Sequence, residues 1–162
     1  MQLAERSLTF MTGSIYGVSW DKDVIILLPW VAILLPLTWL QARSVNIQAL
    51  GDDTASSAGA HVQRQRLILI MLSVALAGAA VAIGGAIAFI GLMAPHMARK
   101  LVGSSFGSVL PVSALLGAII LLVSDLVART VFIPKDVPAG VLTAAIGAPF
   151  FMYLLYRNRN RY

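Results

Sequence analysis

Two charged side chains in the last third of the chain have the spacing of an ion pair. Asp125 and Arg129 stand four residues apart, which puts them on one face of a helix with the acid before the base, the favourable order. Charges at membrane depth are costly and usually face protein or water. We therefore expect the pair either to fix helix packing or to leave Arg129 able to meet an acidic side chain of another protein.

His96 is the other side chain that invites a chemical role, because imidazole is a common metal ligand and titrates near neutrality. The chain has no cysteine, and its second histidine, His61, lies in a polar stretch. We therefore predict no metal site, and we expect His96 to form a hydrogen bond with backbone at a helix bend.

Catalytic and nucleotide-binding patterns are also absent from the sequence. No nucleophile, base and acid occur as a set, and no glycine-rich loop is followed by Lys-Ser or Lys-Thr, the pattern that cradles phosphates. We expect no catalytic residues, no cofactor held by this chain and no enzymatic activity.

Composition indicates that lipid is the solvent. Of 162 residues, 59% are hydrophobic and 12% are charged, and the mean hydropathy is +0.85. A soluble domain of this length has too few interior positions for so much apolar surface. The net charge of +5 is scattered over the ends of apolar runs, which argues against a nucleic-acid patch.

Long apolar runs must position the charged residues. The run from Val24 to Ala42 carries no charge and matches one span of about 20 residues, kinked at its two prolines. The run from Leu67 to Ala98 is about half again longer than one span requires, and it fits either one tilted helix or two short crossings. Two further spans are expected over Val112–Thr130 and Val137–Tyr156.

Charge favours two crossings for the long run. With two, most basic residues lie on one side of the membrane, and Lys22, Arg129 and Lys135 lie on the other. The prediction is an all-α polytopic transmembrane bundle, a single domain over residues 1–162, with about five spans preceded by the stub of another. The polar loop 43–66 and the C-terminus are then cytoplasmic.

One motif resembles a known family. Gly85-Ala-Ile-Ala-Phe-Ile-Gly-Leu-Met-Ala-Pro-His-Met-Ala-Arg99 is similar to the signature of FecCD-type permeases, the membrane subunits of ABC importers for iron-siderophores, haem and vitamin B12. The likeness extends to Met11–Ser14, Gly17–Trp20, Ala49–Ala55, Leu110–Ala118, Ser124–Arg129 and Val137–Phe151. It covers nearly the whole chain but only the C-terminal half of a usual member, so an internal start, a truncated product and one piece of a split permease all stay open.

The resemblance implies a permease subunit in the bacterial cytoplasmic membrane. Its expected partners are ABC ATPase subunits that bind the ATP, a second permease subunit in a homo- or heterodimer, and an extracytoplasmic substrate-binding protein. The expected cargo is a ferric siderophore or related iron chelate, with vitamin B12 or haem as the alternative.

The resemblance also implies roles for individual residues. The polar loop would sit in a cleft of the ATPase subunit, with coupling assigned to Leu50, Gly51, Asp52, Asp53, Ala55 and Gly59. From the residues themselves, this loop looks like two short helices separated by glycine, with Asp52 or Asp53 available as an N-cap. An ordinary solvated loop is the alternative.

Two smaller groups complete the expected sites. Arg129 and Asp136 are assigned to outer docking or loop geometry, as Arg129 resembles a family position that engages Glu on the binding protein. Gly85, Gly91, Pro95 and His96 are assigned to packing at a helix turn, because small residues let helices approach closely in lipid.

Two rival functions come from other classes. A secondary transporter would ordinarily place ionisable groups at mid-membrane, and no such group occurs over Val24–Ala42 or Leu67–Phe89. A non-transporting permease fragment is the second rival, because the chain matches only half of a family-length protein.

Overall fold

The chain folds into α-helices that pack as a bundle. The computed structural model describes residues 1–15, 17–135 and 137–160, and within these residues no strand occurs. The helices are α1 Gln2–Thr12, α2 Ile25–Leu40, α3 Ala42–Gln48, α4 Asp52–Ser57, α5 Val62–Gly84, α6 Ile90–Val102, α7 Phe106–Val131 and α8 Ala139–Arg159, and a π-helical turn, Trp20–Val24, leads into α2. The predicted all-α class is confirmed.

Four helical segments in the described residues are long and apolar enough to cross a membrane: Trp20–Leu40, Val62–Gly84, Phe106–Val131 and Ala139–Arg159. Large apolar side chains cover their outer surfaces. Small residues such as Ala98, Ala128 and Thr143 form much of the buried interior. This pattern suits packing in lipid, where association depends on close helix approach rather than on burying large apolar groups.

The long apolar run does cross the bundle twice, and its second crossing is only partly helical. The helix α5 ends at Gly84, residues 85–89 are not helical, and α6 has 13 residues. Gly85 lies beside Phe10 and Gly13, and Gly13 is hydrogen-bonded to Gly140 in the first turn of α8. Phe89 lies beside Gly147, about 10 Å farther along α8.

The lengths of these two pieces add to one crossing. Residues 85–89 advance ~10 Å along α8, from its first turn to Gly147, and α6 adds ~20 Å, against ~30 Å for a hydrocarbon core. Ile90, the first residue of α6, contacts Gly117 near the middle of α7. The chain therefore enters the bundle as non-helical backbone and leaves it as a helix.

Two of the residues assigned to helix-turn packing behave differently from expectation. His96 Nε2 is buried and has no hydrogen-bond partner among the described residues, so the expected hydrogen bond to backbone is not made by this nitrogen. The ring instead packs edge-on against Phe150, at 5.9 Å between centroids. Gly91 is exposed, and a Cβ there would have no described neighbour within 4 Å, so Gly91 makes no close packing contact with the described residues.

The basic residues separate between the two ends of the bundle, as the sequence predicts. We call the end that carries α3 and α4 the basic end and the opposite one the Gly13 end. Among the described residues, the basic end has seven cations and two acids, namely Arg43, Arg64, Arg66, Arg99, Lys100, Arg157, Arg159, Asp52 and Asp53. The Gly13 end has four of each: Arg6, Lys22, Arg129, Lys135, Glu5, Asp21, Asp23 and Asp125.

Candidate functional site

The predicted coupling loop forms two short helices at the basic end. The helices α3 and α4 are separated by Ala49, Leu50 and Gly51, and we call Ala42–Ser57 the α3–α4 hairpin. Gly51 has φ 106° and Gly59 has φ 80°, a left-handed conformation that glycine adopts with little strain. Both turns therefore depend on glycine, and a Cβ at either would meet no described atom within 4 Å.

The N-cap expected from an aspartate is not formed. Gly51 occupies the N-cap position of α4, and no side chain caps that helix end. Asp52 and Asp53 instead lie in its first turn, where negative charge is favourable beside the positive end of the helix dipole. Asp52 Oδ1 also accepts a 2.8 Å hydrogen bond from Arg66 Nη2 on α5, and the two side chains form an ion pair.

Most of the assigned coupling residues face outward. Leu50 is 70% exposed, and Gly51, Asp52, Asp53 and Gly59 are exposed as well. Ala55 has no exposed surface. Its side chain can therefore support the α3–α4 hairpin only from the interior, whereas the other five assigned residues are accessible to a partner.

The start of α7 is hydrogen-bonded both to the α3–α4 hairpin, through Asn46, and to the end of α2, through Trp39. Asn46 Oδ1 accepts a hydrogen bond from the Phe106 backbone N–H at 2.9 Å, one of the N–H groups that a helix start leaves without an intrahelical acceptor. Trp39 Nε1 donates to the Gly107 carbonyl oxygen at 2.9 Å. The α3–α4 hairpin and the end of α2 are thus both attached to the first turn of a spanning helix.

The sequence reasoning missed this connection. Asn46 occurs in the predicted polar loop, but its partner is 60 positions away. A polar residue at the end of a short helix is a general sign of capping, yet nothing local identifies the helix that is capped.

The Gly13 end carries the second candidate site. Arg129 Nε donates to Asp125 Oδ2 at 2.7 Å, and the two side chains are 48% and 16% exposed. They line a cavity of about 520 Å³ with Thr9, Lys135 and Pro138 among its other residues. Asp136, assigned together with Arg129, lies outside the described residues.

Three backbone hydrogen bonds join separate segments at the Gly13 end. Ser14 N donates to Gly84 O at 3.0 Å, Ala86 N donates to Phe10 O at 2.9 Å, and Gly140 N donates to Gly13 O at 2.8 Å. Such close approach requires glycine, because a Cβ at Gly85 would lie 2.6 Å from Phe10 O. This glycine junction connects α1 to the start of α8 and to the non-helical segment that precedes α6.

Comparisons with known proteins agree with this arrangement. The model of the FecCD transport family matches residues 2–157. The chain is 53% identical over 157 residues to the "Probable siderophore transport system permease protein YfhA" of Bacillus subtilis, and the alignment covers 97% of this chain and 46% of that protein. It is 43% identical to the Fe(3+) dicitrate transport system permease protein FecD of Escherichia coli, with 98% of this chain and 49% of that protein covered.

A solved structure has the same fold. It shows an inward-facing conformation of a transporter assigned to the metal-chelate type of ABC transporters, with a TM-score of 0.85 and 31% identity over 93% of this chain and 48% of that chain. The present chain thus spans about half the length of the relatives it matches. Because the family model covers nearly all of it, the chain belongs to the FecCD transport family.

Proposed function

We propose that the chain acts as part of the permease of an ATP-driven importer for ferric chelates, in the bacterial cytoplasmic membrane. The observation that carries the proposal is the α3–α4 hairpin, an exposed structure at the basic end that is hydrogen-bonded to a spanning helix through Asn46. The names of the relatives, which refer to siderophore and ferric dicitrate transport, support an iron chelate over vitamin B12 or haem.

The charge distribution supports a cytoplasmic location for the basic end. Loops with an excess of Lys and Arg are retained on the cytoplasmic side, and this end has seven cations against two acids in the described residues. The α3–α4 hairpin and the C-terminus would then face the cytoplasm, where ATPase subunits bind. The Gly13 end would face the substrate-binding protein.

In this mechanism the chain does no covalent chemistry. A ligand changes a conformational equilibrium only through its different affinity for the two states. Nucleotide binding in the ATPase subunits would move the α3–α4 hairpin, and the hydrogen bond from the Phe106 N–H to Asn46 would transmit that movement to α7. Leu50, Gly51, Asp52, Asp53 and Gly59 would form the contact surface, with Ala55 supporting it from inside.

Affinity purification of the chain from membranes tests the proposal. Co-purification of an ATPase subunit and of a second permease polypeptide is the expected result. A chain that inserts and remains soluble in detergent but has no ATPase partner would contradict the proposal and favour the non-transporting fragment.

A pair of variants locates the contact. Gly51→Arg places a large cation on the α3–α4 hairpin and is expected to abolish ATPase co-purification. Gly17→Arg is the matched control, since Gly17 also has a positive φ, 84°, and open space around it, but lies before α2, at the other end of the bundle. If both variants lose the ATPase, the effect comes from folding; if neither does, the α3–α4 hairpin is not the contact.

A further inference from the structure

The non-helical part of the second crossing exposes backbone at mid-depth in the bundle. We call Gly85–Phe89 the re-entrant segment. Within the described part of the chain, the Ala88 N–H and the carbonyl groups of Ala86 and Ile87 have no hydrogen-bond partner. Ala86 and Ala88 are also exposed, and their methyl groups are too small to cover the backbone.

This backbone cannot face lipid. An unpaired N–H or C=O group in hydrocarbon costs several kcal/mol, so non-helical backbone at membrane depth occurs only where it is buried in protein or lines a water-filled cavity. Ala86 lies at the Gly13 end, because its N–H donates to Phe10 O and its carbonyl lies beside Gly13. Phe89 and Ile90 lie deeper, beside Gly147 and Gly117. The Ala88 N–H and the Ile87 carbonyl, which come just before them, are therefore the groups that lie away from both ends of the bundle.

Water can form hydrogen bonds with these backbone N–H and C=O groups more readily than a neighbouring helix can. The backbone groups of a neighbouring helix are already used within that helix, so such a helix could satisfy the re-entrant segment only through well-placed polar side chains. The exposed face continues into α6 at Gly91 and Leu92, where Gly91 again leaves backbone uncovered.

We propose that the face formed by Ala88 and Gly91 lines the aqueous pathway through which the ferric chelate passes. Its N–H and C=O groups would offer hydrogen bonds to the oxygen atoms of a hydrated chelate at mid-membrane. This inference rests on the proposed transport function and adds the surface that carries it out.

Cysteine accessibility tests the proposal cleanly, because the chain has no cysteine of its own. A thiol reacts as the thiolate, which requires water. In native membranes, Ala88→Cys and Gly91→Cys should react with a charged, membrane-impermeant thiosulfonate at least about tenfold faster than a cysteine buried in lipid or protein. Two positions are used so that failure of one variant to fold does not leave the question open.

Leu115→Cys is the matched control. Leu115 is 65% exposed, and it lies near the depth of Gly117 but about 200° around α7 from it. Labelling of both Ala88→Cys and Gly91→Cys at no more than the Leu115→Cys rate, in variants that insert normally, would overturn the proposal. The labelling rate reports access to water and does not require transport. Rapid labelling of a chain that has no ATPase partner would therefore contradict the proposed function but still support the water-accessible surface.

Discussion

The side chain of Phe89 lies so close to Gly147 that a Cβ at position 147 would overlap the Cβ and Cγ of Phe89. Phe89 has φ 68° and is the one residue other than glycine with positive φ in the described chain. That conformation costs an L-residue about 1–2 kcal/mol. The absence of a side chain at Gly147 therefore lets α8 hold a strained residue at the point where the re-entrant segment becomes α6.

Gly147→Ala tests this contact. The added methyl group must displace Phe89, and overpacking of this kind typically costs about 1–3 kcal/mol. We expect a lower unfolding temperature in detergent, measured by loss of helical circular dichroism. Gly78→Ala is the control, because Gly78 is also helical but has open space around it, and alanine favours helix by up to about 1 kcal/mol. Equal effects of the two substitutions would contradict the contact.

The glycine junction should be sensitive to Gly85→Ala. Gly85 has φ 72°, so alanine adds backbone strain as well as a contact with Phe10 O. Gly103→Ala isolates the first effect, since Gly103 has φ 83° and no described atom near its Cβ position. We expect Gly85→Ala to lower the free energy of unfolding by about 1–3 kcal/mol more than Gly103→Ala does. Denaturant titration in detergent measures the difference, and a zero difference would show that α1 can move away freely.

The hydrogen bond from Phe106 N–H to Asn46 should contribute to stability at the basic end. Asn46→Ala removes the acceptor and leaves a helix-start N–H unpaired, which typically costs about 1 kcal/mol. Asn46→Asp keeps an acceptor and should retain most of the stability. Thermal unfolding separates the two variants. If Asn46→Asp is as destabilised as Asn46→Ala, the bond is not what holds α3 to α7.

Sequence reasoning was most accurate where the pattern is local. The absence of charge between Val24 and Ala42 and the segregation of basic residues depend on composition along the chain, and both appear in the bundle. Gly51 between two short helices was also predicted, because glycine marks turns through its own conformational freedom.

Features that depend on distant partners were not predictable in this way. A glycine that packs and one that is exposed look alike in sequence, so Gly85 and Gly91 were given the same role, and only the first packs within the chain. The ring of His96 packs on Phe150, 54 positions away, and no local pattern specifies that partner. The partly non-helical second crossing likewise depends on contacts of Phe89 with α8 and of Ile90 with α7.

The orientation of the bundle can be read from two lysines at opposite ends. Lys135 follows α7 at the Gly13 end, and Lys100 lies in the last turn of α6 at the basic end. If the basic end is cytoplasmic, Lys135→Cys in intact spheroplasts reacts with an impermeant maleimide, whereas Lys100→Cys reacts only after lysis. The reverse pattern would contradict the proposed orientation.

Variants of the Asp125–Arg129 ion pair at the Gly13 end can distinguish a role in helix packing from a role in docking of a binding protein. Arg129→Glu places two acids four residues apart beside the cavity, so it should weaken association with an acidic binding-protein surface by about tenfold at low salt, less at high salt. It also breaks the pair with Asp125, which lies 2.7 Å away, and this second effect must be controlled.

The double variant Asp125→Arg with Arg129→Asp restores opposite charges at the same two positions, although in the less favourable order. If the pair only fixes helix packing, the double variant recovers both the unfolding temperature and binding. If Arg129 itself meets an acidic partner, the double variant recovers the unfolding temperature while binding, measured by surface plasmon resonance against the immobilised permease, stays weak.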